Sequence, residues 1–109
     1  MAKQLTVTYN GTDYTLEYNR RTIVQMEKNG FIATDMDKQP GTMIPLLVQG
    51  AFMAHHRFVK KELIDEIYDH MTNKEDFIGK LAEMYSEPIL ALMEDPEGDE
   101  GNASWTASW

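Results

Sequence analysis

The sequence has no cysteine and few basic residues. Without cysteine it has no disulfide framework and no thiolate chemistry, and its redox compartment cannot be read from cysteine usage. Only 10 Lys and Arg stand against 18 Asp and Glu, which gives a net charge of −8. Nucleic-acid phosphates and anionic membrane surfaces both require a basic face on the protein. The sequence therefore predicts neither nucleic acid nor membrane as a partner.

Long hydrophobic runs are also missing. No apolar run reaches the roughly 20 residues that a bilayer requires, and MAKQLTVTYNG at the start has no apolar signal-peptide core. We expect an intracellular protein, and 109 residues are enough for one domain.

Residues 42–56 form the stretch around which the chain is predicted to be organised. Their sequence, TMIPLLVQGAFMAHH, places apolar residues on every side of a helix. A helix of this kind must be surrounded by a core, a membrane or a partner. We expect Thr42 to cap this helix after a turn at Pro40-Gly41, with Pro45 in the first turn, where its missing N–H costs nothing.

Residues 3–18 are predicted to form a β-hairpin. Asn10-Gly11 supplies the two positive-φ positions of a type I′ turn. With this two-residue loop Val7 lies opposite Tyr14, so that the turn and the apolar face choose the same register. The alternating apolar residues are Leu5, Val7, Tyr9, Tyr14, Leu16 and Tyr18.

Helices are predicted on both sides of the central one. A short helix over about residues 19–29 has Asn19 as its cap and Gly30 just after its end. Residues 61–71 form an amphipathic helix with one apolar stripe and an acidic opposite face.

The last predicted helix begins at Asn73 or Thr72 as its cap. Pro88 is expected to kink or break this helix after Met84, because the proline ring meets the carbonyl four residues back. Together the elements predict an α+β fold for residues 1–93, in which an N-terminal β-hairpin packs on a small bundle of about four helices.

Residues 94–109 differ from the rest of the chain. Their first part, EDPEGDEG, has five acids and no base, which predicts a disordered, solvated linker. Ala-Ser-Trp then occurs twice, ending in Trp105 and Trp109. Two interpretations remain open: the indoles dock on a partner or a neighbouring copy, or the tail is unstructured or docks on its own domain.

Residue chemistry does not predict an active site. His55, His56 and His70 lack the spacing of metal ligands, so we expect no metal and no cofactor. Asp65 and Asp69 share a helix face where solvent keeps both carboxylates ionised. These patterns predict no catalytic residue, and we expect a protein that is not an enzyme.

Two other features are less ordinary. A cationic run, Arg57 with Lys60 and Lys61, suits the end of a helix and can also receive the acidic tail in cis. The four helical stripes and the hairpin face also carry much apolar surface, and the chain has eight methionines. All of that surface could be core, or part of it could form an exposed, adaptable groove for a partner's apolar helix.

The order of elements and two segments, LEYNRRTIVQMEKNGF and GNASWTASW, resemble small tail assembly chaperones of long-tailed phages and prophages of Gram-positive bacteria. The resemblance implies a non-enzymatic protein of the host cytoplasm that is absent from the finished virion. Such chaperones coat the long, apolar, helical tape measure protein before the tail tube polymerises around it. Family members are often also made as a longer frameshifted product that recruits tube subunits.

From this resemblance we expect the tape measure protein as the main partner, with tail tube subunits and self-association as further contacts. The residues expected to bind it are Ile44, Leu47, Phe52 and Met53, with Trp105 and Trp109 contributing. The alternative is a structural virion component, such as a tail tube or head–tail connector subunit. A small enzyme or a nucleic-acid regulator would need a tuned pocket or a basic stripe, and the sequence predicts neither.

Overall fold

A computed structural model of the chain describes residues 3–95 and 101–109, and it confirms the predicted α+β fold. A two-stranded antiparallel sheet is followed by four α-helices. Within these ranges, no helix has the length and apolar character needed to span a bilayer. In chain order the elements are β1 (Leu5–Tyr9), β2 (Thr12–Leu16), α1 (Arg20–Lys28), a 3₁₀ turn (Ala33–Asp35), α2 (Pro40–His56), α3 (Lys61–Asp69) and α4 (Lys74–Ala91).

The hairpin forms in the predicted register. Asn10 and Gly11 have φ values of 49° and 78°, as a type I′ turn requires. Val7 pairs with Tyr14, and Leu5 likewise faces its predicted partner across the strands. The inner face of the hairpin therefore presents its apolar side chains to the helices.

Helix α1 is fixed at both ends by local hydrogen bonds. The Asn19 side chain accepts from the backbone N–H of Thr22 at 2.9 Å, and the Thr22 hydroxyl accepts from the backbone N–H of Asn19 at 2.9 Å. This reciprocal arrangement is a capping box. After the helix, Gly30 at φ 101° reverses the chain. The N–H of the buried Phe31 then donates to the carbonyl of Met26 at 2.9 Å.

Helix α2 begins three residues earlier than predicted, with Gln39 and not Thr42 at the N-cap position. Pro40 occupies the first helical turn, so the predicted cap at Thr42 and the predicted turn at Pro40-Gly41 are wrong. The reason is that proline's fixed φ is already helical and its missing N–H would have no partner at a helix start. Pro45 consequently lies inside the helix, where it deprives the carbonyl of Gly41 of its usual donor.

The core surrounds α2, which packs against β2, α1, α3 and α4. Two hydrogen bonds tie the end of the hairpin to this helix. The backbone N–H of Glu17 donates to the carbonyl of Ala51 at 3.0 Å, and the hydroxyl of Tyr18 donates to the carbonyl of Leu47 at 2.6 Å. The buried apolar residues are Leu16, Tyr18, Ile23, Met26, Phe31, Met43, Leu47, Val48, Ala51, Phe52, Ile64, Ile67, Leu81, Met84 and Tyr85.

The start of α4 differs from the prediction. Asn73 stands at the N-cap position, but its backbone is left-handed at φ 54° and its side chain makes no capping hydrogen bond. A cap needs an extended backbone for the side chain to reach the first turn, so the predicted side-chain cap is wrong. The N–H of Phe77 donates to the backbone carbonyl of Asn73 at 3.0 Å.

Helix α4 runs through Pro88 to Ala91, so the predicted break after Met84 is wrong. A proline inside a helix removes one hydrogen bond, here the one to the carbonyl of Met84. The turn before it is held by the buried Met84 and Tyr85. Packing of these two side chains offsets the lost bond, because most helical stability in proteins comes from tertiary contacts.

Gly50 of α2 lies against the side chain of Met26 of α1, and this contact generates a stability prediction. A Cβ at this position would overlap the side chain of the buried Met26, whereas a Cβ at Gly79 on α4 would meet nothing within 4 Å. We expect Gly50→Ala to lower the free energy of unfolding by up to about 2 kcal/mol, because overpacking of the core costs about 1–3 kcal/mol and the gain in helix propensity offsets about 1 kcal/mol of this loss. Gly79→Ala should raise it by up to about 1 kcal/mol through helix propensity. Urea denaturation of both variants measures these changes, and a stabilised Gly50→Ala would contradict the close approach.

Candidate functional site

The residues predicted to bind a partner do not form one surface. Leu47 and Phe52 are only 2% and 1% exposed and belong to the core, although Leu47 also lines a groove beside α4 that is described below. Ile44 and Met53 are half-buried against the same cluster. Most of the apolar residues of α2 therefore belong to the core, because the hairpin and the other three helices surround this helix. For α2, this is the first of the two alternatives that the sequence left open.

A group of exposed apolar residues lies instead at the end of α4, and Val24, Ile32 and Phe58 are exposed elsewhere in the domain. Leu90 is 61% exposed and Ile89 is 38% exposed. Just beyond the helix, Leu92 and Met93 are 53% and 87% exposed. Four apolar side chains within five positions form an uncommon concentration on the surface of a small domain.

These residues adjoin a groove of about 400 Å³ between α4, the 3₁₀ turn and α2. We call it the α4 groove; its lining residues are Phe31, Ala33, Met36, Leu47, Ala82, Tyr85, Ser86, Ile89 and Leu90. Its floor is built from packed aromatic rings. The ring of Tyr85 makes edge contacts with Phe31 and Tyr18, at centroid distances of 5.3 and 5.5 Å.

The α4 groove is lined mainly by apolar side chains. Tyr85 is the one titratable group among its lining residues. Burial raises the pKa of Tyr85, so its hydroxyl stays neutral at physiological pH. A preformed apolar groove of this kind is typical of sites that accept the apolar face of a helix.

A second concavity, of about 770 Å³, collects all three arginines of the chain. Arg20 and Arg21 come from the first turn of α1, and Arg57 from the end of α2. None of them forms an ion pair with any residue in the described ranges. The sequence singled out Arg57 but grouped it with Lys60 and Lys61, which do not line this concavity. Arg20 and Arg21 were missed because they lie on another element.

A third concavity, of about 330 Å³, lies along β1. We call it the β1 groove; its lining residues are Leu5, Thr6, Val7, Met71, Thr72, Asn73, Asp76, Phe77 and Lys80. The hairpin was predicted from the sequence, but the groove was not. The β1 groove forms where the connection between α3 and α4 passes β1. No pattern of neighbouring residues in the sequence indicates that these two segments meet.

Each of the three histidines makes a hydrogen bond. His55 Nε2 lies 2.7 Å from a carboxylate oxygen of Glu17. His56 Nε2 accepts from the backbone N–H of Thr15 at 2.9 Å, which places the proton of its neutral form on Nδ1. His70 bonds a backbone carbonyl of its own helix. Within residues 3–95 and 101–109, no group of three His, Cys, Asp or Glu side chains could hold a metal ion.

The C-terminal segment exposes both tryptophans. Trp105 and Trp109 are 82% and 103% exposed, and residues 101–109 contain no helix or strand. The central part of the predicted acidic linker, residues 96–100, lies outside the described residues.

The whole chain, residues 1–109, matches a family described as "Domain of unknown function (DUF5055)". No curated protein and no solved structure matches the chain.

The contact between Glu17 and His55 generates a pH prediction. The His55 hydrogen bond, and second the Gln4 hydrogen bond, lower the pKa of Glu17. A lowered folded-state pKa stabilises the protein above the unfolded value of about 4.3, and that stabilisation is lost as the pH falls through the folded pKa. We expect Glu17→Gln to lower the free energy of unfolding by about 1 kcal/mol at pH 7. The difference from wild type should close below about pH 4.

Thermal denaturation at pH 7, 5 and 3.5 measures this difference. Asp37→Asn is the matched control, because Asp37 is exposed and forms no ion pair with another described residue. It should remain close to wild type at pH 7. A Glu17→Gln deficit that persists unchanged at pH 3.5 would contradict the role of the ionised carboxylate.

Proposed function

The chain belongs to the DUF5055 family, a domain of unknown function, and we propose that it is a non-enzymatic tail assembly chaperone of a long-tailed phage. In this role it binds the apolar, helical tape measure protein and keeps it dispersed while the tail tube assembles. It acts in the host cytoplasm and is absent from the finished virion. The resemblance of LEYNRRTIVQMEKNGF and GNASWTASW to small tail assembly chaperones motivates the proposal.

The observation that carries the proposal is the apolar surface at the end of α4. Leu90, Leu92 and Met93 are each more than half exposed; Leu90 lines the α4 groove, and Leu92 and Met93 follow it in the chain. An amphipathic helix binds such a surface by inserting residues spaced three and four apart into the groove. The partner's apolar face is thereby removed from water, which suppresses its aggregation.

The polar features of the domain are consistent with this role. A chaperone of an insoluble partner must itself remain dispersed, and the net charge of −8 provides mutual repulsion between copies. The groove contains no charged side chain, so an apolar helix would meet no desolvated ion in it.

The area of the patch indicates weak individual contacts. Fully burying one Leu, Ile or Met side chain contributes about 1.5–3 kcal/mol, whereas association itself costs about 4–15 kcal/mol. Four partly exposed side chains therefore contribute at most about 6–12 kcal/mol together, which comes close to balancing this cost. Many copies along one long partner would make such contacts effective, because each bound copy raises the local concentration for the next contact between partner and chaperone.

Substitution of Leu90 tests the proposal. We expect Leu90→Asp to abolish most of the chaperone's ability to keep the co-expressed tape measure protein of the same phage or prophage soluble, because the carboxylate would be buried against an apolar helix. The soluble fraction of the tape measure protein after co-expression, measured by quantitative gel electrophoresis, should fall to about the level found without the chaperone.

Val24→Asp is the matched control. Val24 is 48% exposed on α1 and does not line the α4 groove, so this variant should retain wild-type activity. Equal solubility of the tape measure protein with Leu90→Asp and with wild type would contradict the α4 site. Mass spectrometry that finds the chain in purified virions at a structural stoichiometry would instead indicate a tube or connector subunit.

A further inference from the structure

The sheet has one open edge. β2 packs against α2, and the N–H of Glu17 just beyond it bonds the carbonyl of Ala51. β1 pairs with β2 alone among the described residues. A two-stranded sheet is marginal by itself, and an unpaired edge is a template for a further strand.

The register shows which backbone groups the open edge presents. Tyr9 and Thr12 flank the two-residue turn and therefore form a hydrogen-bonded pair, and such pairs recur at every second residue. Thr6 and Thr8 lie between these positions, so their N–H and C=O groups point away from β2. No backbone hydrogen bond from either residue to another described element occurs.

The β1 groove lies beside this edge. Met71 and Phe77 supply apolar walls and are themselves only partly buried. A strand added to β1 would direct alternate side chains toward the groove. The edge therefore offers backbone partners and an apolar recess at the same place, as sites of β-strand addition do.

Residues 103–109 have the sequence that such a strand requires. In ASWTASW, Ala and Trp alternate strictly with Ser and Thr, which is the period of a strand with one apolar face. Trp105 and Trp109 fall on the same face, about 13 Å apart if extended, which equals the span from Leu5 to Tyr9 in β1. Both indoles are exposed in the structure.

We propose that residues 103–109 of a second copy of this chain add to the open edge of β1 as a third strand, with the indoles against the β1 groove. Their backbone would bond Thr6 and Thr8. The contact joins two different surfaces, the segment of one copy and the edge of another, and is therefore heterologous.

The exposure of the segment favours a second copy over the same chain. Residues 101–109 are exposed throughout, and Trp105 and Trp109 are 82% and 103% exposed, so within one chain this segment does not cover β1. The segment of another copy can approach the same edge from solvent.

The contact should be weak and concentration-dependent. Each tryptophan buries at most about 150–250 Å², so the interface falls below the roughly 1,200 Å² of stable complexes. The assay must therefore cover a wide range of protein concentration.

The test uses the full chain and its own fluorescence. Trp105 and Trp109 are the two tryptophans of the sequence, so their emission reports the environment of this segment alone. With rising concentration, we expect the emission to shift to shorter wavelength, in parallel with an increase in mass seen by sedimentation equilibrium. Trp105→Ala should weaken association by about tenfold or more, without affecting the folded domain.

Comparing the association of the Thr6→Pro and Thr6→Val variants distinguishes strand addition from simple apolar contact. Proline removes the outward N–H of Thr6 and is tolerated on an edge strand, so Thr6→Pro should lose association. Thr6→Val keeps the N–H and should retain it. Circular dichroism of both variants confirms folding, and Trp105→Ala supplies the test if Thr6→Pro is unfolded.

Three results would overturn the proposal. One is a chain that stays monomeric at millimolar concentration. Another is an emission shift that is present at every concentration, which would indicate docking within one chain. The third is association that Thr6→Pro and Trp105→Ala both leave unchanged, which would indicate that copies meet through another surface, such as the end of α4.

Discussion

The fold depends on covering α2. This helix is apolar on almost every side and cannot face water, so each other element contributes one apolar face to enclose it. The hairpin does so with Leu16 and Tyr18, α1 with Met26 and α4 with Leu81, all of them buried. The two hydrogen bonds from the end of the hairpin to α2 also satisfy polar groups that this enclosure removes from water. Enclosure of one helix by the rest of the chain thus organises a domain whose sequence has no cysteine for a disulfide.

The sequence predicted features that depend on neighbours along the chain. The Asn10-Gly11 turn set the hairpin register, and Asn19 set the start of α1, because each acts on backbone atoms within three residues. Two of the predictions failed at prolines, for different reasons. Pro40 starts α2 although Thr42 was a reasonable cap, because the fixed φ and missing N–H of proline suit a helix start. Helix α4 passes Pro88, because packing of Met84 and Tyr85 against distant residues offsets the lost hydrogen bond.

The surface was harder to predict than the core. Leu47 and Phe52 were expected to meet a partner, but whether an apolar residue of α2 is covered depends on how the other elements pack around it. The same limit applies to the three arginines, which come from two helices and meet in one concavity. Periodicity identifies the apolar face of a helix but not which part of that face the fold leaves uncovered, and here that part lies at the end of α4.

Pro88 lowers the local stability of the end of α4. The carbonyl of Met84 lacks its usual donor, so the last turn of the helix is held by fewer backbone bonds than the turns around the buried Leu81. Segments with few buried contacts and missing backbone bonds open at a small fraction of the global unfolding free energy. Amide hydrogens beyond Pro88 should then exchange with solvent while those of α2 remain protected. In the proposed role, this would let the apolar rim of the α4 groove adjust to successive turns of a long helix without loosening the enclosed core.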